Sequence, residues 1–149
     1  MIAGSETTAT LLSGLSFLLL KNQHAYHCLK EELREAFQSS KDITLAKLAK
    51  LEYLNACIQE ALRLYPPVPI GLPRFVPDQG ATICGEFIPR GTSVYVSQYA
   101  AYHSEANFAD PESFIPERWL PDTDTKFIKD DQRVLQAFSV GPRNCIGKR

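Results

Sequence analysis

The chain has 149 residues, 16 Lys+Arg against 17 Asp+Glu, and a formal net charge of −1 at pH 7. With 44% hydrophobic and 22% charged residues, its composition is that of a folded globular chain, which excludes disorder and collagen-like structure. The balanced charge removes the basic footprint of a nucleic-acid binder, so no nucleic-acid partner is expected. The cysteines Cys28, Cys57, Cys84 and Cys145 lie far apart with no C-x-x-C pair. That spacing speaks against a zinc ribbon or thioredoxin-like motif and suits a reducing compartment.

Residues 2–21 carry Leu11, Leu12, Leu15, Leu18 and Leu19 at helical spacing. The segment is also interrupted by Glu6, Thr7, Thr8, Thr10, Ser13 and Ser16, and lacks a positive start. A buried helix is therefore expected, with neither a membrane span nor a signal peptide in this chain. A second helix is predicted over residues 24–38, with Ala25, Cys28, Leu29, Leu33, Ala36 and Phe37 on one side and its charges mostly on the other. Residues 39–42 break it. A third helix, over residues 53–65, uses Leu54, Cys57, Ile58, Ala61 and Leu64 and stops at Pro66-Pro67, where proline removes a donor and restricts its neighbour. Short strands are predicted over residues 70–76, 81–87 and 92–98, separated by Pro77-Asp78-Gln79-Gly80 and Pro89-Arg90-Gly91. A short helix over residues 104–110 follows. Prolines at 111, 116 and 121 then make residues 111–136 irregular, and Phe114, Trp119 and Phe127 favour order there. The predicted class is mainly α with small β-sheets (α+β): helical over 1–65, short strands over 66–103, an irregular meander over 104–137 and a distinct loop over 138–149.

That loop is the sharpest signal. Phe138-Ser139-Val140-Gly141-Pro142-Arg143-Asn144-Cys145-Ile146-Gly147 sets a cysteine in a glycine- and proline-shaped turn, two residues after an arginine. Glycine permits close backbone approach, and a thiolate there would be favoured by backbone N–H groups and Arg143. A flat anionic cofactor with an electrophilic metal would use each of these features. The plainer reading of Cys145, a small buried hydrophobe, explains none of the flanking pattern. The loop resembles the haem-binding segment of the cytochrome P-450 superfamily, Phe-x-x-Gly-x-Arg-x-Cys-x-Gly, at every specified position. The resemblance implies that Cys145 is the proximal ligand of haem iron, that Phe138 lies against the haem, and that Arg143 meets a propionate. It gives Gly141 and Gly147 the task of keeping the loop close to the ring. A thiolate ligand would push electron density to the iron and favour O–O cleavage.

Two further motifs fit the same family. Glu60-Ala61-Leu62-Arg63 puts Glu60 and Arg63 on one helix face, and alone would be an ordinary surface pair. It matches the family's Glu-x-x-Arg motif, while Pro116-Glu117-Arg118-Trp119 resembles Pro-Glu-Arg-Phe with Trp119 in the aromatic place. Glu60, Arg63 and Arg118 are then expected to form a structural triad beneath the haem. Ala3-Gly4-Ser5-Glu6-Thr7-Thr8 reads by itself as a solvent-facing turn. It fits the family's oxygen-activation motif, in which Glu6 and Thr7 would help deliver protons and Gly4 would leave room over the iron. Arg74 stands where the family often supplies another propionate partner, against the alternative of a surface arginine. Val68, Ile70 and Leu72 resemble the stretch that lines the substrate pocket, or are ordinary core. His24, His27 and His103 have no metal partner at useful spacing and are read as structural.

The motifs occur in the family's order along all 149 residues. They imply part of a cytochrome P-450 haem domain, most like fungal members, that begins within the long central helix and ends just after the cysteine loop. The implied activity is a haem-dependent monooxygenase acting on a small apolar organic substrate, with molecular oxygen and electrons from an NADPH-dependent reductase. The parent is expected at the endoplasmic reticulum membrane. Two alternatives stand beside it. One is a non-catalytic truncated chain with little or no haem binding. The other is a hydrolase using Cys145 as nucleophile, for which no histidine sits in position as a base.

Overall fold

The computed structural model describes residues 2–148; Met1 and Arg149, the expected outer ends of the first helix and of the cysteine segment, lie outside the described residues. The fold is mainly α with two small antiparallel sheets. Helix α1 (Ile2–Lys21) and helix α2 (Gln23–Ala36) are separated by one residue. Asn22 makes that break compact: its N–H and its side-chain amide both donate to the Leu18 carbonyl, at 3.0 and 2.8 Å. Helix α3 (Leu45–Leu48), a single turn that sequence periodicity misses, is started by Thr44, whose hydroxyl accepts from the Lys47 N–H. Helix α4 (Glu52–Leu64) follows and ends ahead of Pro66. Its first turn has no cap of its own. Glu32 of α2 supplies one, its carboxylate accepting from the N–H groups of Tyr53 and Leu54 at 2.7 and 2.9 Å. An acid at a helix N-terminus also meets the positive end of the helix dipole.

The apolar stripes of the three long helices meet in one core. Ala25, Leu29, Cys57, Ala61 and Phe114 are buried there, with Leu11, Leu15, Leu18, Leu19, Leu54 and Leu64 packed around them. The opposite side of α1 is open, leaving Leu12, Phe17 and Leu20 exposed. Among the described residues no helix is long and apolar enough to cross a membrane.

The strand region departs from expectation. Strand β1 (Arg74–Phe75) is shorter than residues 70–76, because Pro69 and Pro73 have no N–H to give a ladder. Residues 81–87 are not one strand. They form the hairpin of β2 (Ala81–Ile83) and β3 (Glu86–Ile88), turned by Cys84 and Gly85 at φ 52 and 88°. Two consecutive positive φ values are what a tight two-residue hairpin needs, and a Cys-Gly pair hides that signal. Strand β4 (Ser93–Val94) pairs with β1 in the register Arg74↔Val94, and the chain then turns helical at α5 (Gln98–Tyr102). Ser97 caps α5 through its hydroxyl, so the strand predicted over 92–98 is cut short.

The helix expected over 104–110 is absent. Asp110 sits at φ 45°, and the Ala109 N–H is drawn to Asp130 Oδ1 at 2.8 Å instead of to an intrahelical carbonyl. Residues 111–136 run as turns and short 3-10 segments, Pro116–Trp119, Thr125–Phe127 and Gln132–Val134, around buried Phe108, Phe114 and Phe127.

Candidate functional site

Among the described residues, the two largest fully buried side chains are charged, Arg63 and Arg118. Glu60, Arg63 and Arg118 are each 0% exposed. Charges so far from water persist only when every polar atom is matched. Arg63, one turn beyond Glu60 on α4, donates Nε to Glu60 Oε2 at 2.9 Å and Nη2 to Oε1 at 2.8 Å. Its other hydrogens go to backbone carbonyls: Nη1 to Tyr102 at 2.9 Å and Pro111 at 2.6 Å, Nη2 to Ser113 at 3.0 Å. Arg118 arrives from the Pro116–Trp119 segment and donates Nε to Glu60 Oε1 at 3.1 Å, while its Nη1 pairs with Asp130.

The remaining acceptor capacity of Glu60 is filled by the Ile115 N–H at 3.0 Å and by Trp119 Nε1 at 2.9 Å. Trp119 thus does more than fill space in the place of a phenylalanine; its indole N–H completes the carboxylate's shell. The Arg63 and Arg118 guanidinium groups also lie 5.2 and 5.9 Å from the Phe108 ring, and Arg118 is 4.8 Å from that of Phe127. Sequence reasoning missed Asp130, the indole contact and the three carbonyls. None has a spacing that could reveal it.

This network reaches the cysteine loop through Tyr102. The Tyr102 carbonyl accepts from Arg63, and its hydroxyl accepts from the Gln136 N–H at 3.0 Å. Burial pushes the Tyr102 phenol up, keeping it protonated. The Gln136 carbonyl in turn accepts from the Ser139 N–H at 2.8 Å. The loop closes on itself where the Cys145 N–H donates to the Phe138 carbonyl at 2.8 Å. Ser139 at φ 60° and Gly141 at φ 79° give the sharp bends, followed by the 3-10 turn Gly141–Arg143.

Cys145 is an exposed free cysteine, as is Cys84; Cys57 is buried and Cys28 partly so. A Cβ built on Gly147 would stand 3.7 Å from the Cys145 sulfur, so a side chain there would lie against it. Arg143 is exposed, and Arg74 reaches the loop through Nη2 to Ser139 Oγ at 3.4 Å. Between these parts lies an open cleft of about 540 Å³ whose lining includes Leu72, Arg74, Val96, Gln136, Ser139 and Val140. Phe138 faces Lys148, whose ammonium is 5.8 Å from the ring centroid.

Of the other predicted residues, Val68 is half-buried while Ile70 and Leu72 are 68% and 44% exposed. Gly4, Glu6 and Thr7 lie in the first turns of α1, so that stretch is helix and not a turn; Glu6 is exposed and Thr7 half-buried. A Cβ on Gly4 would meet nothing within 4 Å. His24 sits 3.6 Å from Glu117, a carboxylate that also accepts from the Tyr53 hydroxyl at 2.6 Å. Among the described residues no three His, Cys, Asp or Glu side chains converge as a metal cluster.

Cys145 thus stands exposed on a loop tied through Gln136 and Tyr102 to the buried Glu60–Arg63–Arg118 network. All of the chain, residues 1–149, matches the model of the Cytochrome P450 family, and the chain belongs to that family. It is 53% identical over 148 residues to cytochrome P450 monooxygenase FUM2 of Gibberella moniliformis, with 99% of this chain and 31% of that protein covered. It is 52% identical over 148 residues to cytochrome P450 monooxygenase AMT3 of Alternaria alternata, covering 99% and 30%. With cytochrome P450 monooxygenase aclL of Aspergillus oryzae the identity is 50% over 148 residues, again covering 99% and 30%. The chain thus spans about 30% of the length of the curated relatives it matches. Its general class is that of a monooxygenase family of oxidoreductases.

Proposed function

We propose that this chain supplies the thiolate face of a haem-dependent monooxygenase that inserts one oxygen atom into a small apolar organic substrate. The observation that carries the reading is the free, exposed Cys145 at the end of a loop anchored through Gln136 and Tyr102 to the buried Glu60–Arg63–Arg118 network. The donor set suits haem, a flat apolar ring with an electrophilic iron and two carboxylates. It offers one thiol, a neighbouring aromatic ring at Phe138, and two arginines, Arg74 and Arg143, that are exposed enough to meet propionates. When bound, haem would supply the oxygen chemistry, with thiolate donation favouring O–O cleavage.

The chain's own residues then divide the remaining work. Cys145 would hold the iron, and Phe138, Gly141 and Gly147 would shape the surface beside it. Glu60, Arg63 and Arg118 keep that surface rigid and take no part in the chemistry. Glu6 and Thr7 hold and pass protons from α1, Thr7 through its hydroxyl. Val68, Ile70 and Leu72 give the substrate an apolar wall, which is why the substrate class is apolar. Electrons come from an NADPH-dependent reductase, and a segment outside this chain anchors the whole protein at the endoplasmic reticulum membrane.

The test is Cys145→Ser in a full-length protein carrying this segment. The thiolate-type spectrum of the reduced carbon monoxide complex should vanish, while Cys28→Ser, Cys57→Ser and Cys84→Ser retain it. A normal spectrum from Cys145→Ser overturns the assignment.

A further inference from the structure

Away from the cysteine loop, ligand-type side chains also gather in the first turns of α2, beside the Pro116–Trp119 segment. Folded into that helix, His24 gains a partner: Cys28, four residues on, shares its face. The Cys28 sulfur stands 3.7 Å from His24 Nε2 and 4.0 Å from Nδ1. That spacing suits a shared cation. With zinc–sulfur and zinc–nitrogen bonds of about 2.3 and 2.0–2.1 Å, a tetrahedral angle sets the two donors about 3.5–3.6 Å apart. Both ring nitrogens lie within a few tenths of an ångström of it. The His24 side chain is 82% exposed and free to make that adjustment, while Cys28 is partly buried.

Glu117 supplies the neighbouring charge. Its Oε1 lies 3.6 Å from His24 Nε2 and accepts from the Tyr53 hydroxyl at 2.6 Å. Burial foremost, then Glu117 itself, pushes the Tyr53 phenol up, so this donor keeps its proton and holds the carboxylate in place. With a cation on Nδ1, the Nε2–H faces Glu117, the outer-shell arrangement that fixes a ligating imidazole.

We infer that His24 and Cys28 form a two-donor site for a divalent cation of the zinc class, with water completing the coordination and Glu117 orienting the imidazole. Two protein donors are fewer than a preformed structural zinc centre uses, so this is an exchangeable surface site. On binding, the thiol passes its proton to solvent and the imidazole enters neutral. The site makes no use of Cys145 and stands apart from the proposed haem chemistry. It joins the start of α2, through Glu117, to the segment that carries Arg118.

The experiment is equilibrium dialysis of zinc ion against a reduced, haem-loaded full-length protein carrying this segment. Zinc uptake is expected, and His24→Ala or Cys28→Ser should each abolish it. Glu117→Gln should weaken it about tenfold, the scale of losing an outer-shell partner. Cys84→Ser and His103→Ala should bind as the parent does. Bound zinc should also slow alkylation of Cys28 while Cys84 labels at an unchanged rate. No uptake by the parent, uptake that survives His24→Ala, or uptake lost with Cys84→Ser overturns the inference. Should Cys28→Ser fail to fold, His24→Ala decides, because that side chain lies outside the core. Unchanged affinity in Glu117→Gln overturns the role given to that carboxylate.

Discussion

Replacing Arg63 with alanine tests whether the buried network is a foundation or part of the chemistry. The guanidinium makes five hydrogen bonds, two to Glu60 and one each to the carbonyls of Tyr102, Pro111 and Ser113. Its removal leaves Glu60 with Arg118, Ile115 and Trp119, and so does not strip the carboxylate bare. It does strand three carbonyls and open a void in a site that is 0% exposed. Breaking one partner out of a buried ion pair costs about 3–5 kcal/mol. Each unsatisfied buried polar group costs about 1–3 kcal/mol, which pushes the total toward the upper end of that range. Against a domain stability of about 5–15 kcal/mol, this is a loss of a third or more.

In a full-length protein carrying this segment, Arg63→Ala should therefore lower the denaturation midpoint sharply and reduce the yield of haem-loaded protein. Arg63→Lys should fall between, because a single ammonium offers three donors where the guanidinium's fork spans Glu60 and the three carbonyls. A well-loaded Arg63→Ala protein with an unchanged midpoint and no turnover would refute the reasoning and move Arg63 into the chemistry.

Trp119→Phe keeps the ring and removes one hydrogen bond to a buried carboxylate, so a loss of about 1.5 kcal/mol is expected by denaturation; an unchanged midpoint would show that the indole N–H is dispensable. Thr7→Ala should retain haem while product formed per NADPH consumed drops severalfold, and intact coupling would remove Thr7 from the proton path. Burial foremost, reinforced by the Glu117 charge, pushes the Cys57 thiol up to about 12. The unfolded thiol ionises near 8.5 while the folded one holds its proton, so stability should be full below that value and fall as pH rises toward 12. Native Cys57 should resist thiol reagents at neutral pH while exposed Cys84 reacts, and equal labelling rates would contradict the burial argument. The 149-residue chain expressed alone, with Phe17, Leu20, Phe75 and Val96 at 60, 67, 73 and 74% exposure, should aggregate and bind haem weakly; a stable monomer with stoichiometric haem and substrate turnover would contradict this.

What the amino-acid order determines by itself is local and periodic. Leucines three and four apart specify α1, and Pro66-Pro67 ends α4, because these effects act within a turn of the chain. The cysteine loop is legible for the same reason: Gly141 and Cys145 sit a few residues apart, and Gly141 takes the positive φ that a glycine there allows. Glu60 and Arg63 share a face by helical spacing alone.

Whether that pair is a solvated bridge or a buried anchor is a different matter, decided only when distant parts of the chain close over it. Arg118, Asp130, the Trp119 indole and the carbonyls of Tyr102, Pro111 and Ser113 come from turns with no period to read. Tertiary context likewise overrode the expected helix over 104–110, since Asp130 captures the Ala109 N–H, and it capped α4 with Glu32 from another helix. The close approach of Gly71 to the Val96 carbonyl, which leaves no room for a Cβ, belongs to the same class. Such contacts depend on how closely two backbones approach, and that distance is set by the packing of whole elements rather than by any residue's neighbours in sequence.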